Sequence, residues 1–126
     1  MGEPRYLDLE DLLRIVEVEA IGPVRDLGLL DSATARPRSS AFGIDAYPTL
    51  PEKAAALLDS VVGNPALVDG NKRLGWLATV AFFWINGQLL LAPEDDAYDL
   101  VMGVAERRVP VDESARSLAA GITPRD

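Results

Sequence analysis

The chain has 126 residues, 48% hydrophobic and 25% charged, and its twelve Lys plus Arg stand against twenty Asp plus Glu for a net charge of −8. That describes one domain, spanning residues 1–126, with a core of its own, and the acidic balance argues against direct binding of nucleic-acid backbones. With neither cysteine nor histidine in the chain, disulfides, thiolate or imidazole metal ligands, and every histidine-based triad or general base are excluded.

The first residues, MGEPRYLDLEDL, lack the basic and apolar regions of a secretory leader, and the longest apolar run is too short to span a membrane, so a cytoplasmic protein is expected. From Tyr6 to Ile21 the spacing of Leu9, Leu12, Leu13, Val16 and Ala20 predicts a helix with one buried face. Asp8 is its candidate cap and Gly22-Pro23 its stop. Pro23 to Gly28 reads as a turn, and a short helix from Leu29 to about Ala35 is expected to end before Pro37. Arg38 to Leu50, punctuated by Ser, Gly and Pro with isolated Phe42, Ile44 and Tyr47, reads as a loop, flap or weak hairpin.

Pro51 suits the first position of a helix, Glu52 its first turn, and Ala54, Leu57, Leu58, Val61 and Val62 a packed face that ends at Gly63. After a turn at Gly63-Asn64-Pro65 comes the segment around which the fold is expected to be built. Between Leu74 and Ile85 only Gly75 and Thr79 are not apolar, which predicts a buried central helix with no polar face. Asn86-Gly87 closes it, and Gln88 to Leu91 is expected to lie extended on the body. Pro93 to about Glu106 predicts another helix with Tyr98, Val101, Met102 and Ala105 inward. A last helix, capped by Asp112, turns Ala115, Leu118 and Ala119 inward and closes at Gly121. These are six helices without a βαβ alternation, so the fold class is all-α. Trp76, Phe82, Phe83 and Trp84 read as core.

The start of the central helix carries the chemistry. Asp69-Gly70-Asn71-Lys72-Arg73 puts open backbone N–H groups, two cations and a carboxylate at one helix N-terminus, where an anion such as a nucleotide phosphate would be held. The plain alternative is turn chemistry, with Asp69 or Asn71 capping the helix. Lys72 and Arg73 weigh against it, because cations there oppose the helix dipole unless an anion meets them.

Val68-Asp69-Gly70-Asn71-Lys72-Arg73, between a preceding helix and a buried one, resembles the motif of the Fic/Doc family, His-x-Phe-x-(Asp/Glu/Asn)-(Gly/Ala)-Asn-(Lys/Gly)-Arg. Lys72, where adenylyl-transferring members usually have Gly, and the short single domain make the chain similar to the Doc (death-on-curing) branch. The resemblance implies a compact six-helix Fic/Doc-like fold with a short flap, and a type II toxin that binds ATP and Mg2+ and phosphorylates elongation factor Tu, arresting translation. It also implies a Phd-like antitoxin as partner. By the same resemblance Asp69 would bind the metal, Gly70 and Asn71 would form the anion hole, and Lys72 and Arg73 would grip phosphate oxygens. The family's catalytic His falls on Pro65 and its Phe on Leu67. Pro65 has no titratable group, and a general base typically contributes about 10²–10⁴-fold, so catalysis is expected to be impaired. The alternatives are adenylyl transfer, against which Lys72 counts, and a non-catalytic module that binds nucleotide or antitoxin.

Overall fold

The computed structural model describes residues 2–126. Six α-helices follow one another: α1 (Leu9–Glu19), α2 (Leu27–Ala35), α3 (Leu50–Gly63), α4 (Asn71–Ile85), α5 (Glu94–Ala105) and α6 (Val111–Ala119). Two short antiparallel strand pairs accompany them, β1 (Ser40–Ala41) with β2 (Ile44–Asp45) and β3 (Gln88–Leu90) with β4 (Ile122–Pro124). The all-α reading therefore holds in its main outline. Among the described residues no helix is long and apolar enough to cross a membrane.

Local chemistry sets the helix boundaries. Asp8 starts α1 through a capping box: its carboxylate accepts from the Asp11 amide, and the Asp11 side chain accepts from the Asp8 amide. The helix ends at Glu19, two residues before the expected Ile21, because Ala20 turns into the left-handed region at φ 54° and lies exposed. Asp26, expected in a turn, instead caps α2 with its side chain by accepting from the Leu29 amide at 3.1 Å, so the helix begins at Leu27. Pro37 is absorbed into a single 3-10 turn, Arg36–Arg38. Thr49 caps α3, which moves Pro51 to the second helical position.

The most completely buried element is α3, a correction to the expectation that the post-motif helix is the central post. Lys53 to Leu58 and Ser60 to Val62 are all buried. In α4 only the stripe of Leu74, Gly75, Ala78, Thr79, Phe82 and Phe83 is buried, and Trp84 is 50% exposed. The two helices approach closely because Gly75 has no side chain: a Cβ there would meet Val62 Cγ1 at 2.5 Å. Partly covered Leu77, Ala81 and Ile85 face Leu7, Ile15 and the largely exposed Val18 of α1 across an apolar groove of about 440 Å³. The helix that reads as apolar all round is thus fully buried along one stripe and only partly covered elsewhere.

Polar groups tie the periphery to α3. The Arg36 guanidinium donates to Asp59 Oδ2 at 2.7 Å, to Ser60 Oγ at 3.0 Å and, through Nε, to the Tyr47 hydroxyl at 3.0 Å. Burial works against this charge, but the bonds to Asp59 and Tyr47 outweigh it and raise the Arg36 pKa above its ordinary value. Lys53 is 1% exposed, and its ammonium reaches the Pro37 carbonyl at 3.4 Å and Asp45 of β2 at 3.5 Å. The segment expected as a loop, flap or weak hairpin holds a tight hairpin over 40–45. Phe42 and Gly43 take positive φ at its tip, and Phe42 and Ile44 are exposed.

Three further corrections concern the C-terminal third. Tyr98 points outward, 65% exposed, while Val101 and Val104 carry the inward face of α5. Pro110, not Asp112, is the N-cap of α6, and the buried face is Ser114, Ala115 and Leu118, with Ala119 exposed. The chain continues past Gly121 into β4, which pairs with β3 in the register Leu89 to Thr123.

Candidate functional site at the start of helix α4

Residues 64–70 link α3 to α4, and each end of this loop is fixed. At the α3 end, Arg107 Nη2 donates to the Gly63 carbonyl at 2.9 Å, placing a cation on the helix's last turn. At the α4 end, Gly70 is the N-cap with φ 96° and offers no side chain to the helix; the first intrahelical bond runs from the Leu74 amide to the Gly70 carbonyl at 2.9 Å. The amides of Asn71, Lys72 and Arg73 are therefore left to an external acceptor. Neither Asp69 nor Asn71 caps the helix with its side chain.

Four of the other helices have acidic residues in their first turn, namely α1, α3, α5 and α6, and α2 is capped by Asp26. Helix α4 has none, and Lys72 and Arg73 occupy that turn. Both border one hollow of about 560 Å³ between α4 and α5, which Trp76, Tyr98, Met102 and the carboxylate-bearing Glu94 also line. Arg73 Nε also bonds Glu19 Oε1 of α1 at 2.9 Å, while 64% of its side chain stays exposed. Positive charge, open amides and accessible surface meet at this end.

The Asn71 side chain has other work than the sequence suggested. Its Oδ1 accepts from the Leu67 amide at 2.9 Å and its Nδ2 donates to the Leu67 carbonyl at 3.0 Å. Both polar atoms of the amide are engaged by the loop, so a contribution of Asn71 to an anion hole falls to its backbone N–H. Leu67, at the position of the family Phe, is 1% exposed and pins the loop to the core. Pro65 and Asp69 are exposed, and the Asp69 carboxylate makes no hydrogen bond or ion pair among the described residues.

Sequence reasoning missed the connector between α1 and α2, which runs along the loop as an antiparallel splint. Val24 and Leu67 form an isolated bridge. The Gly22 amide donates to the Asp69 carbonyl at 3.0 Å, the Val68 amide to the Pro23 carbonyl at 2.9 Å, and the Arg25 and Asp26 amides to the Ala66 carbonyl at 2.7 and 3.0 Å. Arg25 Nη2 adds a bond to the Pro65 carbonyl at 3.1 Å. Every residue from 65 to 69 is thus held through its backbone. Nothing local signals this, because the partners lie some forty residues apart and pair through main-chain atoms. Gly70 belongs to the same contact: a Cβ on it would lie 2.6 Å from Ile21 Cβ.

A model described as the Fic/DOC family matches residues 6–83, from the first helix to within α4. The chain is also 50% identical over 118 residues to a protein of Mycolicibacterium smegmatis named Toxin Doc, across 90% of this chain and 91% of that one.

Proposed function

Because this chain belongs to the Fic/DOC family, we propose that it is the toxin of a toxin–antitoxin module, of the kind that uses ATP to modify elongation factor Tu and arrest translation. The observation that carries the reading is the first turn of α4, with its open amides, two cations and no carboxylate. Phosphoryl transfer is chiefly positioning and neutralisation of charge on the transferred group, and this end supplies both. The open amides of Asn71, Lys72 and Arg73 would donate to a phosphate held there, Lys72 offers a point charge, and Arg73 can chelate two oxygens.

Mg2+ fits the donor set as an ion that arrives with the phosphates. Among the described residues no group of three acidic side chains could cage a metal, whereas Mg2+ typically needs one or two carboxylates beside phosphate oxygens. Asp69 is the carboxylate on hand. When bound, the ion would neutralise part of the phosphate charge.

Pro65 sets the level of activity. At the motif position where the family has histidine, it can neither accept nor deliver a proton, and no histidine elsewhere can replace it. The chain retains a binding site and loses the base, so it transfers phosphate slowly or not at all. The antitoxin's seat is the groove between α1 and α4, where Ile15, Val18, Leu77 and Ile85 suit the apolar face of an amphipathic segment.

The test is Pro65→His beside the unaltered chain, each incubated with elongation factor Tu and ATP labelled in the α or γ position. Transfer of γ label by the variant alone is expected. Transfer of α label would replace the kinase reading with adenylyl transfer, and binding of ATP without any transfer would leave a non-catalytic nucleotide module.

A further inference from the structure

We propose that Arg25, outside the motif, is a positioning residue that sets the loop carrying residue 65 and thereby keeps the α4 end ready for an anion before one arrives. The inference rests on the phosphate reading above for its ligand and on the connector geometry for its mechanism.

Arg25 spans two consecutive peptides of the loop. Its amide donates to the Ala66 carbonyl at 2.7 Å and its guanidinium to the Pro65 carbonyl at 3.1 Å. The loop needs such outside help, since proline at 65 brings no N–H and the loop's own amides cannot close a helix or strand. The help comes from two sides. Asn71 grips both polar groups of Leu67 from α4, and the connector grips residues 65, 66, 68 and 69 from the opposite side. Within this set Arg25 contributes the one connector side chain; the other connector ties are main chain to main chain. A donor bound to the carbonyl of residue 65 fixes the peptide plane from which that residue's side chain departs, so Arg25 governs where a base at 65 would stand and how the next turn presents its amides. Arg25 is exposed, so removing its side chain opens no core cavity. Its effect should therefore be read in loop order and ligand affinity, not in overall stability.

Glutamine at 25 keeps a short donor and removes the charge, which separates positioning from direct attraction of an anion. The experiment compares the unaltered chain, Arg25→Ala and Arg25→Gln. Amide exchange is followed by NMR at Gly22, Arg25, Asp26, Leu67 and Val68 without ligand, and Mg-ATP is then titrated. Arg25→Ala is expected to speed exchange at these amides roughly 2- to 10-fold, as for the loss of about one hydrogen bond, and to weaken Mg-ATP binding by a similar factor. Arg25→Gln, whose amide nitrogen lies two bonds short of the Nη2 that makes the contact, is expected to recover only part of the exchange protection, with Mg-ATP binding recovering in step. Exchange unchanged in Arg25→Ala would overturn the proposal. So would a glutamine variant that restores slow exchange yet binds as weakly as alanine, since Arg25 would then act by charge on the ligand. If no variant, nor the unaltered chain, binds Mg-ATP, the phosphate reading fails while the exchange data still decide whether Arg25 positions the loop.

Discussion

Gly70→Ala is the most direct probe of how the motif loop is seated, because two separable costs meet at one residue. The first is conformational. Gly70 holds φ 96°, and forcing an L side chain into left-handed backbone costs roughly 1–2 kcal/mol. The second is steric. The added Cβ would sit 2.6 Å from Ile21 Cβ and 2.9 Å from its Cγ2, and Ile21 Cβ is fixed to the backbone and cannot swing away. Overpacking of this kind typically costs about 1–3 kcal/mol, so the sum is roughly 2–5 kcal/mol. Gly87 provides the control: it has φ 77° and nothing within 4 Å of the place an added methyl group would occupy, so Gly87→Ala should lose only the conformational part, about 1–2 kcal/mol. Urea unfolding of the three proteins, with equal m-values as the check on two-state behaviour, reads both numbers. If Gly70→Ala is no costlier than Gly87→Ala, Ile21 is not pressed against the N-cap and the splint along the loop is wrong.

Other substitutions test the remaining contacts. Glu19→Gln should free Arg73 from its 2.9 Å ion pair and tighten Mg-ATP binding roughly 2- to 5-fold at low salt, in the range of an exposed pair; Arg73→Ala should weaken it, and calorimetric titration with neither change would remove Arg73 from the phosphate site. Lys53→Met should alter stability by no more than about 1 kcal/mol, because the buried ammonium's polar contacts are long, at 3.4 and 3.5 Å, its cation–π contact with Tyr6 is at 5.5 Å, and the Asp45 left behind is exposed. A loss above about 3 kcal/mol on thermal unfolding would contradict that. Arg36→Lys keeps the charge but cannot reach Asp59, Ser60 and Tyr47 together; it should cost about 1–3 kcal/mol in denaturant, and an unchanged midpoint would show those bonds to be idle.

What can be read in advance follows the range of the forces involved. Helix starts are legible where a side chain caps its own neighbours, as at Asp8, and are missed where the cap comes from a residue that reads as a turn, as at Asp26, or where a proline serves instead, as at Pro110. Apolar periodicity finds the packed face of α3, whereas the unbroken apolar run of α4 singles out no face, and neither pattern says which helix lies deeper. An alanine-rich helix such as α3 is buried because neighbours close around it, and that is not written in its own sequence. The motif residues stand where the sequence places them, at an uncapped helix start. Of the bonds that organise them, Asn71 to Leu67 is local but follows no capping signature, whereas Arg73 engages Glu19 and Arg25 engages Pro65 only after distant segments have met. The pairing of β3 with β4 escapes for the same reason, being a contact between segments too short to announce themselves.

The way the loop is fastened also bears on how this protein could change over time. Residues 65–69 are secured by main-chain atoms, by side chains borrowed from elsewhere and by the buried Leu67, and the exposed group at position 65 is not among these fastenings. On the reading proposed above, a single codon there would remove or restore the base while every main-chain tie that seats the loop stayed in place.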